Sequence, residues 1–187
     1  NPEELLEIFK LLTWAKAAIT DTEHIPTAEL EQALQRIAPS LRTLRHANGN
    51  LVRFQGGDQG MEGMLDTALA ACGIKSRNSD HLTMGYARLS AGRTSVIIDA
   101  GPPATGNASY NAHASTLAFE LTSGRRPLIV SCGSGAHLGP DWHRAGRATP
   151  SHSTLCLGGY SSARLGKPVK TYGVYRELLV EAPKIVP

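Results

Sequence analysis

The sequence lacks several features that would assign it to a protein class at once. No apolar run approaches the ~20 residues that a membrane-spanning helix needs, so we expect no transmembrane segment. The chain opens without the basic segment and apolar core of a signal peptide, and its first residues therefore indicate no compartment. It has no lysine and arginine block with interleaved aromatic residues. At a net charge of +3, we expect no nucleic-acid partner.

Cysteine is also scarce, with three residues and no Cys-x-x-Cys pair. An odd number of cysteines favours buried or free thiols over a disulfide framework. A bridge between Cys132 and Cys156 remains an alternative if the chain is exported.

The first part of the chain has apolar residues at helical spacing. The first predicted helix starts at Pro2, with two glutamates in its first turn. A second starts at Thr27 and is kinked or divided at Pro39. A third covers about 60–72 and ends at Gly73, a residue suited to a helix C-terminus.

From about residue 79, short runs of strand-forming residues alternate with turn residues. Hairpin turns are predicted at 91–93 and at 123–126. The predicted strands are YARLS, TSVIIDA, TLAFEL, RPLIV, STLCL and VYRELLVE. This order predicts an α+β protein, with a short helical segment over residues 1–78 and an antiparallel β-sandwich over residues 79–187.

Four of the seven histidines lie at the ends of the predicted strands, within residues 110–164. His113 and His152 each precede a strand, so neighbouring strands can bring the two imidazoles to one Zn²⁺ ion. Cys132 is a candidate third donor. The alternative is that both histidines only hydrogen-bond the backbone of their turns.

A second group combines an aromatic residue with cations in a segment rich in glycine and proline. It contains Trp142, His143, Arg144 and Arg147. Arginine pairs with carboxylates through two hydrogen bonds, and tryptophan stacks on sugar faces, so the group suits an anionic carbohydrate. The alternative is a solvated loop anchored by the tryptophan. Tyr110 is a further candidate, because tyrosine can act as an acid or a base.

The segments AHASTLAFELTSGRRPLIVSCGSG and DWHRAGRATPSHSTLCLGG resemble the heparinase II/III-like polysaccharide lyases, in order and spacing over about residues 84–165. The preceding helices are similar to the last helices of that family's α/α toroid. The resemblance implies a toroid followed by a β-sandwich, and β-elimination of uronic-acid polysaccharides bound between them. It also implies a periplasmic or secreted location.

The same resemblance implies roles for individual residues. His113 and His152 match the family's zinc-binding histidines, but the aspartate that completes that set is replaced by Ser131, so Cys132 or water would have to complete it. Asn111 stands where the family often has a histidine facing the cleft. The candidate catalytic residues are His113, His137 and Asn111. The candidate substrate-binding residues are Tyr110, Trp142, His143, Arg144 and Arg147.

We therefore expect the C-terminal piece of a protein that acts on an acidic polysaccharide. The main catalytic tyrosine of the family lies in the upstream toroid, so this chain alone is expected to be inactive. The alternative is a non-catalytic carbohydrate-binding or scaffolding sandwich in an envelope-polysaccharide pathway. The departures at Ser115 and Ser131 favour that alternative.

Overall fold

The computed structural model describes residues 1–75 and 82–181. The helices are α1 (Pro2–Asp21), α2 (Ala28–Thr43), α3 (Met64–Cys72) and α4 (Pro140–Gly146). The strands are β1 (Tyr86–Ala91), β2 (Thr94–Asp99), β3 (Phe119–Ser123), β4 (Arg126–Ile129), β5 (Ala163–Thr171) and β6 (Val174–Glu181). Single 3₁₀ turns cover Asn107–Asn111, Ala136–Leu138 and Thr149–Ser151. Within the described ranges, no helix combines the length and the apolar composition needed to cross a membrane.

The first two helices begin where their sequence signals predict. The Asn1 side chain accepts a hydrogen bond from Glu4 N at 2.9 Å, and the Thr27 side chain caps α2 in the same way. Pro39 lies within α2 without dividing it, which corrects that part of the prediction. Continuous packing of α2 on the core holds the helix together around this residue.

The third helix starts at Met64 rather than near residue 60. Gly60 and Gly63 both have φ of +75°, a left-handed backbone that cannot continue a right-handed helix. The predicted end at Gly73 is confirmed, with φ of +71° at that residue.

Strands β1 to β4 form one antiparallel sheet in chain order. Tyr86 lies opposite Asp99 across the first hairpin, and Ala91 lies opposite Thr94 beside its turn. Both predicted hairpin turns are present, and the α+β class with antiparallel sheets is confirmed.

The helices and this sheet share one hydrophobic core. Phe9, Leu34 and Leu41 of the helices are fully buried together with Ile97 of β2. Phe54, on the extended segment after α2, stacks on a tyrosine of β1 with ring centroids 5.6 Å apart. The predicted domain boundary between residues 78 and 79 lies outside the described residues.

Strands β5 and β6 form a separate antiparallel hairpin, and only β6 was predicted. Gly166 and Pro168 argue against a strand interior, but they lie where the register shifts between Leu165 and Pro168. The hairpin packs on the 3₁₀ turn at Asn107–Asn111 and buries Leu179 there.

The predicted strand STLCL was wrong. Residues 153–157 form a loop that is held by isolated hydrogen bonds. Ser153 O accepts from Phe119 N, and Thr154 Oγ1 donates to Thr116 O. A tight turn follows between Leu157 and Tyr160, so no ladder of strand pairing develops.

Candidate functional site

An open groove of about 680 Å³ lies where the 3₁₀ turn Asn107–Asn111, helix α4 and strand β6 meet. We call it the arginine–tyrosine groove. Its lining residues are Tyr110, Asn111, Pro140, Asp141, His143, Arg144, Arg147, Tyr175, Arg176 and Glu177.

Helix α4 supplies the cationic side of the groove, where the sequence suggested a loop. Pro140 is the first helical residue and Asp141 lies in the first turn, both favourable at a helix start. One turn on, His143 and Arg144 line the groove. Trp142 is 63% exposed and is not among the lining residues.

Arg147 holds the walls of the groove together. It is only 5% exposed, and its guanidinium donates to the carbonyl oxygens of Ala112, Ser109 and Glu177 at 2.8–2.9 Å. These three bonds tie the 3₁₀ turn to β6. Its predicted contact with substrate remains a prediction, because most of its donors already have partners.

The other charged groups give the groove a positive excess. Three arginines face two carboxylates, and one of the pairs, Arg144 with Glu177, forms an ion pair. Arg176 lies over the Tyr110 ring, with Cζ 4.1 Å from the ring centroid. Burial and the nearby Arg147 lower the pKa of His143, so this imidazole is neutral near pH 7.

Asn111 connects the groove to helix α1. Its Nδ2 donates to Glu4 Oε1 at 3.3 Å, and it also lines a second cavity of about 390 Å³. The backbone of Gly56 passes so close that a Cβ atom there would collide with the Asn111 carbonyl oxygen. Only glycine fits this crossing, since φ at Gly56 is also +81°.

Away from the groove, polar side chains are buried between the helical segment and the first sheet. We call them the buried polar layer. Its buried members are His46, Asp99, His113, Ser115, Glu120, Ser131 and His152, and the half-buried Gln55 connects Asp99 to His113.

One part of the layer is a chain of two histidines and a serine. His113 Nδ1 lies 3.3 Å from His152 Nε2, and His152 Nδ1 lies 2.9 Å from Ser131 Oγ. Burial and the neighbouring His152 lower the pKa of His113 to about 3. Burial lowers the pKa of His152 to about 4, so both rings are neutral at physiological pH.

A second part surrounds Asp99 at the end of β2. Its Oδ2 accepts from Gln55 Nε2 and from Ser115 Oγ, each at 2.6 Å. Gln55 Oε1 in turn accepts from His113 N at 3.0 Å. Burial raises the pKa of Asp99, and the hydrogen bonds to its carboxylate only partly oppose that rise.

A third part is centred on Glu120, which is 1% exposed. Its carboxylate accepts from His46 Nε2 at 2.7 Å and from the backbone N–H groups of Arg53 and Ser131 at 3.0 Å. A single side chain therefore binds the segment leaving α2 to strands β3 and β4.

The comparison with known families agrees with this architecture. The family described as "Heparinase II/III-like, C-terminal" matches residues 75–175, more than half of the chain. The chain belongs to the heparinase II/III-like family. The match includes the histidine–serine chain and nearly all of the arginine–tyrosine groove.

Individual relatives cover far more of this chain than it covers of them. FtsZ-localized protein C of Caulobacter vibrioides is 33% identical over 172 residues, which is 88% of this chain and 28% of that protein. The heparan sulfate lyase HepC of Pedobacter heparinus matches 90% of this chain and 31% of its own, with a TM-score of 0.63 and 16% identity. A heparinase III gene product gives a TM-score of 0.64 at 15% identity. At these identities the solved structures establish the fold.

The residues of this chain fit the zinc site that the family resemblance implies only in part. Two nitrogen ligands of a tetrahedral Zn²⁺ lie about 3.3 Å apart, and the two histidine nitrogens have that separation. Ser131, however, bonds the opposite nitrogen of His152, and no group of three His, Cys, Asp or Glu residues suited to a metal occurs in the described ranges. The donor set does not fit a three-ligand zinc site, and zinc remains an untested prediction.

The groove contains five of the residues that the sequence suggested, and the other five, the exposed Trp142 among them, lie elsewhere. Those in the groove are Tyr110, Asn111, His143, Arg144 and Arg147. His113 and His152 lie in the buried polar layer, and His137 is exposed on the 3₁₀ turn Ala136–Leu138. Cys132 Sγ donates to the Gly133 carbonyl oxygen at 3.2 Å. His113 is 1% exposed, a position that suits support of the fold better than contact with substrate.

Sequence reasoning missed the contribution of β6 and most of the polar layer. Tyr175, Arg176 and Glu177 line the groove. Their strand was predicted, but nothing in the sequence indicates that it lies beside α4. Glu120 had a signal, because it lies between two apolar residues of a strand. The strand turns Glu120 inward and leaves its apolar neighbours partly exposed on the other face.

Proposed function

We propose that the chain is the C-terminal part of a polysaccharide lyase, and that the arginine–tyrosine groove is its share of the surface that binds an acidic polysaccharide. The observation that supports this most is the convergence of three arginines, two tyrosines, Asn111 and a neutral histidine on one open groove.

The chemistry of the groove suits a chain of uronic-acid sugars. Arg144 and Arg176 reach the groove as charged donors for carboxylate or sulfate groups. The exposed Tyr175 offers a flat apolar face against which a sugar ring can lie, while Arg176 covers one face of the Tyr110 ring. Because Glu177 already pairs with Arg144, an entering carboxylate would compete with it for that arginine.

The proposed reaction is β-elimination. A base takes the proton from C5 of the uronate, the electron pair forms the C4–C5 double bond, and the C4–O bond breaks as an acid protonates the departing oxygen. In this proposal the Asn111 amide, which lines the groove and donates one N–H to Glu4, donates its other N–H to the uronate carboxylate and so makes the C5 proton more acidic. We expect the base and acid from the remainder of the protein, since this chain spans less than a third of its relatives.

Binding tests the groove directly. The 187-residue chain should bind immobilised heparan sulfate or alginate, with affinity that falls as salt rises. Arg176→Gln should weaken binding about fivefold, equivalent to ~1 kcal/mol. Arg125→Gln removes the same charge from an exposed hairpin turn and is the matched control. Equal losses in both variants would mean that only net charge matters, and the groove assignment would be wrong.

A measurement of lyase activity tests the proposed reaction. The full-length parent protein should generate the absorbance of an unsaturated uronate from one of these polymers, and Asn111→Ala in the parent should reduce the rate. The 187-residue chain alone should generate none. A parent that binds the polymer in the groove but never forms the unsaturated product would contradict the lyase.

That outcome would support the second candidate function, a non-catalytic polysaccharide-binding protein. The observation that favours it is Ser131 in place of the family's aspartate, together with the burial of His113. The name of the Caulobacter vibrioides relative describes where that protein localises and does not distinguish the two candidates.

A further inference from the structure

A second cationic cavity lies where helices α2 and α3 meet strand β1. Its volume is about 610 Å³, and it shares no lining residue with the arginine–tyrosine groove. We call it the arginine cavity. It is lined by Arg42, Arg45, Ala47, Asp66, Leu69, Ala70 and Arg88.

The charges in the arginine cavity do not balance. Among the described residues, Asp66 is the single carboxylate in its lining, and both of its oxygens accept from Arg45, at 2.7 and 2.8 Å. Arg88 donates to the carbonyl oxygens of Thr43 and Arg45, which are neutral acceptors. Arg42 also donates to a neutral carbonyl, so the described lining residues carry two positive charges in excess.

Burial makes this imbalance costly. Arg42 Nε is a buried donor without an acceptor in the part of the chain that the structure describes. Burial, with the nearby Arg45, lowers the pKa of Arg88, which marks the cost of holding these cations together. An anion entering the cavity would supply the missing negative charge beside these guanidinium groups.

We propose that the arginine cavity binds a phosphate group. Guanidinium groups bond tetrahedral oxyanions through paired N–H donors, and they converge here from α2 and β1. A phosphate carries about −1.5 to −2 charges near neutral pH, which matches the excess of two. The site is separate from polysaccharide binding in the groove and does not rest on the proposed function.

The test is a titration of the chain with inorganic phosphate, at constant ionic strength held with sodium chloride. The N–H signal of Arg42 Nε, followed by NMR, should shift and saturate. Arg88→Gln should weaken phosphate binding at least tenfold. Arg126→Gln, which removes the same charge from an exposed position, should change it less than twofold.

A second variant should change phosphate binding in the opposite direction, which a loss of folding cannot do. Asp66→Asn removes the carboxylate that pairs with Arg45 in the lining and should tighten phosphate binding severalfold, while polysaccharide binding in the groove stays unchanged. The proposal is overturned by a shift that never saturates, by equal losses in Arg88→Gln and Arg126→Gln, or by an Asp66→Asn variant that binds no more tightly.

A sugar phosphate, titrated in the same way, distinguishes the two sources of the group. Affinity at least fivefold above that of inorganic phosphate identifies a sugar-borne phosphate as the ligand. Equal affinity identifies free phosphate. Both results support the site.

Discussion

The buried polar layer and the arginine–tyrosine groove use similar residue types for different purposes. In the layer, Glu120 and Asp99 are nearly fully buried, and each accepts bonds from groups of the same chain. In the groove, Arg144 and Tyr175 are largely exposed and have capacity left for a ligand. His113 and His152, which the sequence resemblance matched to the family's zinc-binding histidines, lie in the layer. A family motif can therefore identify a fold while its most distinctive residues face inward.

The largest effect should come from the centre of the layer. Glu120→Ala leaves the donors of His46, Arg53 and Ser131 without an acceptor inside the protein, and should cost about 3–5 kcal/mol of unfolding free energy. Urea unfolding followed by circular dichroism measures it. Glu7→Ala, on the surface of α1, is the control and should cost less than about 0.5 kcal/mol. Similar costs for the two would mean that the layer is no more structural than the surface.

The second largest loss of stability should come from Gly56, which lies where the buried polar layer meets the arginine–tyrosine groove. Gly56→Ala adds a methyl group that collides with the Asn111 carbonyl oxygen and strains a left-handed backbone, so we expect a loss of about 2–4 kcal/mol. Gly92→Ala is a matched control, because φ there is +56° with nothing within 4 Å, and should cost about 1 kcal/mol. Equal losses, measured by thermal unfolding, would show that backbone strain alone matters at residue 56.

Titration of the layer gives a smaller effect with a defined sign. The pKa of Asp99 is raised in the folded state, so the native protein holds this proton more tightly than the unfolded chain. Its contribution to stability is present below the unfolded pKa and is lost as pH rises through the folded pKa. Asp99→Asn keeps an acceptor for Gln55 and Ser115 but carries no charge, so it should flatten this part of the stability–pH curve. An unchanged curve would contradict the raised pKa.

Local sequence patterns predicted part of the fold. Periodicity and turn residues were sufficient for the long helices and both hairpins of the first sheet, because local contacts decide such elements. β5 was missed because Gly166 and Pro168 are tolerated only at a bulge. Helix α4 was missed since seven residues give too short a pattern, although Pro140 at its start was a usable signal.

The candidate site depended on contacts that no local pattern contains. Arg147 was expected to contact substrate, yet its partners lie 30–38 residues away along the chain. Burial of Glu120 depends on donors up to 74 residues distant. Residue type indicates that Arg147 donates hydrogen bonds and that Glu120 accepts them, while only the fold determines the partners of each.

The smallest expected change in stability comes from Asn111→Asp, a variant that should affect the groove and leave the buried polar layer intact. Asn111→Asp places a carboxylate 3–4 Å from Glu4 and inside the groove, at about the distance of the present hydrogen bond. Repulsion of an anionic ligand should weaken polysaccharide binding about fivefold at low salt, and less at high salt.

Stability should change by only about 0.5 kcal/mol in that variant, since Glu4 is exposed and Asn111 lies at the edge of the layer. Asn107→Asp adds the same charge to the exposed first residue of the same 3₁₀ turn, outside the groove lining, and should leave binding within twofold. A groove that tolerates Asn111→Asp as well as Asn107→Asp is not the surface that an acidic polymer contacts. If Asn111→Asp instead unfolds the chain, Asn111 belongs with the layer, and the division between an inward structural region and an outward binding region fails at the residue where the two meet.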